Sequence, residues 1–133
     1  MKYTITCNEE QLWLIAHALE DWHRFLSGEC ELRYATGLLE SLDEREKCRN
    51  VLNEQVRPLV TSELGPNASY PWNGGGCLNE EQRKAIAMSY GIYRQIRHFF
   101  ADRRKNNNWS VYDAPTPTCN DQGPLVEIEE AKK

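Results

Sequence analysis

The sequence lacks the long apolar segments of membrane and secreted proteins. None of its 133 residues belongs to a run that approaches the about 18 apolar residues of a membrane-spanning helix. The N-terminal stretch also lacks the apolar core of a signal peptide. We therefore expect a small single-domain protein of the cytoplasm, with no membrane partner.

Paired cysteines are also lacking. The five cysteines form no CxxC pair and their number is odd. Disulfide frameworks and structural zinc sites use even numbers or closely spaced pairs of ligands. We therefore expect reduced thiols, no metal and no cofactor. The cysteines are Cys7, Cys30, Cys48, Cys77 and Cys119.

Common catalytic and phosphate-binding motifs are missing as well. The chain has no GxxxxGK[ST], GxGxxG, HExxH or GxSxG motif. The glycines at 74–76 come closest to a phosphate loop, but a flexible connector is the favoured interpretation. A nucleophilic pair of Cys30 or Cys77 with a histidine stays open, although nothing marks a particular pair. We expect no enzyme and no catalytic residue.

Charge is unevenly distributed along the chain. The net charge is −4, yet residues 83–105 carry seven basic side chains against one acid. An acidic protein is a poor general partner for polymeric nucleic acid, because phosphate affinity scales with the cations presented. The local basic stretch favours a small anionic ligand instead.

Apolar spacing predicts about three helices. Asn8 and Gln11 form a capping-box pattern before a helix that Ser27 and Gly28 end. A second helix is expected over about residues 38–60, with Pro58 disturbing its last turn. Residues 64–78 contain two prolines and four glycines and predict a long loop. The same N-x-x-Q pattern at Asn79 predicts a third helix to about residue 104.

The chain ends suggest a small β element. Residues 3–6 and 109–112 alternate in polarity and are predicted to pair as antiparallel strands. The expected fold class is therefore α+β, a mainly helical domain over residues 1–113. Residues 114–133 are polar and contain proline, which predicts a disordered or arm-like tail.

Arginines and aromatic residues supply the candidate ligand site. Tyr90, Arg94 and Arg97 fall along one stripe of the third helix, and Arg24 lies near the end of the first. Guanidinium groups bind phosphate oxygens, and aromatic rings stack on bases. Tyr70 and Trp72 in the long loop are candidate stacking residues. The competing interpretation is a solvated basic face with its aromatic residues in the core.

Three stretches resemble segments of a family of small phage proteins. Residues 18–29, ALEDWHRFLSGE, resemble A-L-D-x-Y-x-R-x-x-x-G-Q. Residues 66–70, PNASY, resemble N-x-S-Y-G-I, and residues 89–98, SYGIYRQIRH, resemble A-Y-D-I-Y-Q-V-I-R-H. The matches occur in order and cover most of residues 3–104. We identify that family as the first-described Thoeris anti-defence sponges, which sequester a cyclic ADP-ribose immune signal.

The resemblance implies a homo-oligomer, at least a dimer, that binds the intact nucleotide without cleaving it. Position by position, Arg24 and Arg97 match the family's arginines, Tyr70 its turn aromatic, and Tyr90 and His98 its helix motif. Departures at Trp22, Glu29, Pro71-Trp72 and Gly91 leave the ligand's identity open. Two alternatives remain: a non-catalytic module that inhibits a host protein and, ranked last, a nucleotide hydrolase. The predicted ligand-binding residues are Arg24, Tyr70, Trp72, Tyr90, Arg94, Arg97 and His98.

Overall fold

The computed structural model describes residues 1–77, 79–104 and 110–131, which form helices joined by irregular segments. The α-helices are α1 Glu9–Ser27, α2 Arg33–Thr36, α3 Leu42–Val51, α4 Arg57–Val60 and α5 Glu80–Arg103. A π-helical turn, Leu52–Val56, connects α3 directly to α4. Two short 3-10 turns, Val111–Asp113 and Asn120–Gln122, follow α5.

The predicted antiparallel β element is wrong. The described residues contain no strand, so the fold is all-helical rather than α+β. Tyr3 and Ile5 are more than four-fifths exposed, so the N-terminal segment makes little contact with the helices. Trp109, where the second strand was expected to begin, lies outside the described residues.

Local capping explains why residues 110–113 curl instead of extending. The hydroxyl of Ser110 accepts a hydrogen bond from the Tyr112 N–H at 3.2 Å, and the Asp113 carboxylate accepts one from the Ser110 N–H at 3.0 Å. This reciprocal pair is a capping box, which favours a helical turn over a strand. The alternating pattern at residues 109–112 therefore misled the strand prediction.

The first predicted helix is confirmed as α1. The Asn8 side chain accepts from the Gln11 N–H at 2.8 Å, while the Gln11 side chain accepts from the Asn8 N–H at 2.9 Å. At the other end Gly28 has φ +106°, the left-handed conformation in which a helix stops at glycine. A β-carbon at Gly28 would also lie 2.5 Å from the Thr61 methyl group, so this position requires glycine.

The second predicted helix is shorter and less regular than expected. It begins at Leu42, because the Ser41 hydroxyl caps the Glu44 N–H at 3.1 Å. Before Pro58 the helix widens, and the Arg57 N–H bonds to the carbonyl of Leu52, five residues back. Proline lacks the N–H that would continue the ordinary ladder, so distortion close to it is expected.

Helices α1 and α5 pack against each other in antiparallel orientation. The Trp13 ring stacks on Phe100 near one end, and the His23 ring lies 3.0 Å from the Ile86 carbonyl near the other. The third predicted helix is confirmed as α5, ending at Arg103. The largest fully buried side chains are Tyr93, Ile86, Ile96 and Cys30.

The chain after α5 folds back along that helix. The Gln95 amide donates to the Val126 carbonyl at 3.1 Å, and the Thr116 hydroxyl bonds to the Gln95 side-chain oxygen at 2.6 Å. Further towards the start of α5, Arg83 forms an ion pair with Asp121 at 3.0 Å. The described residues between 110 and 131 therefore cover one side of α5.

Candidate functional site

Three guanidinium groups surround the ring of Tyr112. The central carbons of Arg24, Arg94 and Arg97 lie 5.8, 5.9 and 5.6 Å from the ring centroid, within the distance of a cation–π contact. Arg24 comes from the end of α1, whereas Arg94 and Arg97 come from the middle of α5. The fold thus brings together the arginines predicted from two separate helices. We call these four residues the arginine cluster.

Carboxylates balance two of the three cations. Arg24 pairs with Glu20 at 3.2 Å and with Glu29 at 3.1 Å, and Arg97 pairs with the buried Asp113 at 3.1 Å. Burial acts to lower the pKa of Arg24, but the Tyr112 hydroxyl and the two carboxylates outweigh it and raise that pKa. The ion pairs therefore hold both guanidinium groups in fixed positions.

Arg94 is held differently. It is 5% exposed, and its nitrogens donate to the carbonyls of Val111 at 3.0 Å and Ala114 at 3.3 Å and to the Tyr90 hydroxyl. In the part of the chain that the structure describes, no carboxylate lies within 4.0 Å of these nitrogens, and Nε has no hydrogen-bond partner. Arg94 is therefore held by neutral hydrogen-bond acceptors rather than by an ion pair. Among the described residues, the three arginines have three carboxylate partners in all, Glu20, Glu29 and Asp113.

The predicted aromatic residues divide between two places. The Tyr90 ring lies beneath Arg94, 5.2 Å from its central carbon, and contacts Trp72 with centroids 5.3 Å apart. His98 joins the same neighbourhood, because its Nδ1 lies 2.9 Å from the Asp113 carbonyl. Tyr70 instead packs in the hydrophobic core with Cys77, Ile86, Leu26 and Leu64. The structure therefore places Tyr70 in the core, Tyr90 and His98 near the arginine cluster, and Trp72 against Tyr90.

A cavity of about 460 Å³ opens beside Arg24. The loop at residues 66–69 forms one wall of the cavity. The lining of the whole cavity contains as many acidic as basic side chains. Ligand pockets usually measure about 300–1,000 Å³, so this cavity is large enough for a mononucleotide. Its charged lining residues are Arg24, Arg33, Arg57, Asp21, Glu29 and Glu31.

A second cavity of about 130 Å³ lies between α1 and α5. Arg97 and Glu20 line it together with four aromatic side chains. Since Arg24 lines the large cavity and Arg97 the small one, the arginine cluster connects the walls of both. The aromatic lining residues are Trp13, His17, Tyr34 and Tyr93.

The cysteines considered as nucleophiles are poorly placed for catalysis. Cys30 and Cys77 are both buried, and burial raises the pKa of each thiol, which disfavours the reactive thiolate. His23 is also buried, and desolvation lowers its pKa to about 4. Across residues 1–77, 79–104 and 110–131 there is no group of three side chains suited to a metal ion.

Two glycines of the long loop have structural roles. The Gly75 N–H bonds to the Asn73 side chain at 2.9 Å, and the Gly74 N–H bonds to the Pro71 carbonyl at 2.9 Å. Gly74 has φ +69°, and a β-carbon there would lie 2.7 Å from the Arg83 backbone. These N–H groups serve the turn itself, which favours the connector interpretation over a phosphate loop.

Comparison with known proteins gives no relative: no family model, curated protein or solved structure matches this chain. The resemblance to the phage sponges is therefore a hypothesis that depends on the three sequence stretches alone. Among the described helices, none combines the length and the apolar character that crossing a membrane requires.

Tyr112, Asp113 and Glu20 were missed as site residues. Tyr112 falls in the predicted strand at residues 109–112, and Glu20, which is 7% exposed, is not among the predicted ligand-binding residues. The available signal was the S-x-x-D pattern of residues 110–113, which predicts a helical cap before a short turn. That turn is what holds Tyr112 over the arginines.

Proposed function

We propose that this protein binds a compact anionic nucleotide, a cyclic ADP-ribose isomer, and sequesters it without cleavage in the cytoplasm of a phage-infected cell. The observation that carries the proposal is the convergence of Arg24, Arg94 and Arg97 on one exposed ring. Guanidinium forks fixed in advance by partners suit phosphate oxygens, since little side-chain entropy is lost on binding.

The large cavity supports the same proposal. It places Arg24 beside about 460 Å³ of space, together with carboxylates that can accept hydrogen bonds from ribose hydroxyls. A sponge needs such a site and no catalytic group, because it acts by stoichiometric binding. The protonated, buried thiols fit a function without nucleophilic chemistry.

A second candidate is a module that docks on another protein. On α1, Leu14 is 66% exposed and Trp22 55% exposed, and these positions lie on the outer side of the helix. Large apolar residues on a surface are typical of protein interfaces. The same surface is also compatible with the homo-oligomer that the phage resemblance implies.

The two candidates are separated by a retention experiment. The purified protein is incubated with cyclic ADP-ribose isomers, freed of unbound ligand and then heated, and the supernatant is analysed by mass spectrometry. Intact nucleotide released only by heating supports the sponge. Altered nucleotide would support a hydrolase, whereas no retention by folded protein would leave the docking module.

Arg97 gives the sharpest variant for this experiment. Arg97→Lys keeps a positive charge next to Asp113 but loses the planar fork, so retention should fall at least about ten-fold. Lys84→Ala is the matched control, because Lys84 lies on the same helix and pairs with Glu80 at the surface. If Arg97→Lys lowers the melting temperature yet leaves retention intact, Arg97 is structural and the site is misplaced.

A further inference from the structure

The small cavity is lined by aromatic side chains, as in a binding site for a planar ring. Two stacked pairs of rings fix its aromatic lining. The ring centroids of Trp13 and Phe100 lie 4.9 Å apart with an angle of 20° between the planes. The ring centroids of His17 and Tyr34 lie 4.0 Å apart with an angle of 7° between the planes. These contacts hold the rings in place before any ligand arrives. A preformed aromatic slot favours flat ligands, because stacking requires parallel or edge-on faces.

The size of this cavity limits what it can hold. Its volume of about 130 Å³ is close to that of a cavity, about 150 Å³, that binds one benzene molecule. A whole nucleotide does not fit, but one ring system does. Ala16, which is 1% exposed, forms part of the wall and leaves this space open.

Polar groups at the small cavity determine which hydrogen bonds a ligand can form there. The Glu20 carboxylate can only accept, whereas the Arg97 guanidinium can only donate. Tyr93 also lines the cavity, and its buried hydroxyl has no partner among the described residues. An unsatisfied buried hydroxyl is costly to the empty protein.

We propose that the small cavity binds the base of the nucleotide, a neutral planar heteroaromatic ring with both a donor and an acceptor on its edge. The proposal rests on the proposed function, because Arg97 would then contact the ligand from this cavity while Arg24 contacts it from the large one. The base would stack on the aromatic walls, donate to Glu20 and accept from Arg97. None of the predicted stacking residues, Tyr70, Trp72 and Tyr90, lines this cavity.

The test uses free adenine as the probe, because it carries the ring without phosphate or ribose. Binding to the full-length protein is measured by calorimetry and by competition with retained cyclic ADP-ribose. Trp13→Leu removes one wall and should weaken adenine binding roughly ten-fold. Ala16→Val fills the cavity without removing a polar partner and should weaken it comparably.

The control is Leu59→Ala, which changes an exposed apolar residue on α4 that does not line the small cavity and should leave adenine binding unchanged. Circular dichroism and melting temperature establish that each variant folds. If cyclic ADP-ribose is retained and neither cavity variant weakens it or adenine, the base site is wrong and the sponge stands. If adenine binds and both variants lose it while no cyclic nucleotide is retained, the base site stands and the proposed function fails.

Discussion

His23 shows how one buried side chain ties the stability of the fold to pH. The residue is 7% exposed, and its ring hydrogen-bonds to the Ile86 carbonyl and contacts Tyr90 between α1 and α5. Desolvation by burial lowers its pKa from 6.5 to about 4, despite the opposing hydrogen bond to Ile86. The folded protein therefore favours the neutral form of the His23 ring.

We therefore predict that the free energy of unfolding falls as the pH drops from 6.5 towards 4. In that window the unfolded chain binds a proton that the folded chain excludes, with a limiting slope of about 1.4 kcal/mol per pH unit. Urea denaturation at several pH values measures the slope, and His23→Gln, which does not titrate, should flatten it. Parallel pH profiles for wild type and variant would contradict the prediction.

Asp113 should make the stability of the fold depend on pH in a lower range than His23 does. Burial acts to raise its pKa, but the Ser110 N–H and Arg97 outweigh burial and lower the pKa below its ordinary value of 3.8. Its stabilising contribution is present above that ordinary value and is lost as the pH falls through the folded-state pKa. Asp113→Asn should therefore reduce stability at pH 7, with wild type and variant converging in strong acid, as urea denaturation would show.

At the scale of helices and loops, the sequence was informative wherever the signal was local. Capping patterns at Asn8 and Asn79 located the starts of α1 and α5, and Gly28 located the end of α1. At Asn79 only half of the box forms, because the Gln82 side chain donates instead to the Leu26 carbonyl on α1. Such a long-range contact cannot be inferred from the four-residue pattern.

Gly91 shows why α5 and the chain that covers it fit together. A β-carbon at Gly91 would lie 2.5–2.9 Å from three atoms of the Gln122 side chain, which is itself 5% exposed. The missing side chain thus makes room for the turn Asn120–Gln122 against the helix. Its sequence signal, a glycine in the middle of a helix, was noticed only as a departure from the phage motif.

We predict that Gly91→Ala destabilises the protein by about 1–3 kcal/mol through overpacking. Helix propensity alone predicts the opposite sign, a gain of about 1 kcal/mol, so urea denaturation decides between the two effects. Gly65→Ala is the control, since no atom of the described residues lies within 4 Å of a β-carbon there. A stabilised Gly91→Ala protein would mean that Gln122 moves aside at little cost.

At the scale of the whole molecule, the sequence predicted which cations meet but not how they are arranged. Periodicity placed Arg94 and Arg97 on one stripe, and antiparallel packing of α1 and α5 then brought Arg24 to them. The cavities depend on contacts between distant segments, for which one sequence carries no signal, whereas the turn that holds Tyr112 had a local signal in the S-x-x-D pattern of residues 110–113. The predicted β element failed because the local cap at Ser110 favours a helical turn, and because a strand needs a partner as well as a pattern.

The exposed apolar residues of the N-terminal third lead to a prediction about assembly. Tyr3 and Ile5 in the extended N-terminal segment, and Leu14 and Trp22 on α1, are each more than half exposed. Burying such side chains against a second copy would remove apolar surface from water, which is favourable at about 25 cal/mol per Å². We predict that the molecular mass of the wild-type protein, measured by light scattering, is that of a homo-oligomer. Trp22→Glu should shift the measured mass towards that of one chain. Leu59→Glu, at an exposed position on α4, should keep the wild-type mass, and a wild-type protein of single-chain mass would assign the surface to a different partner.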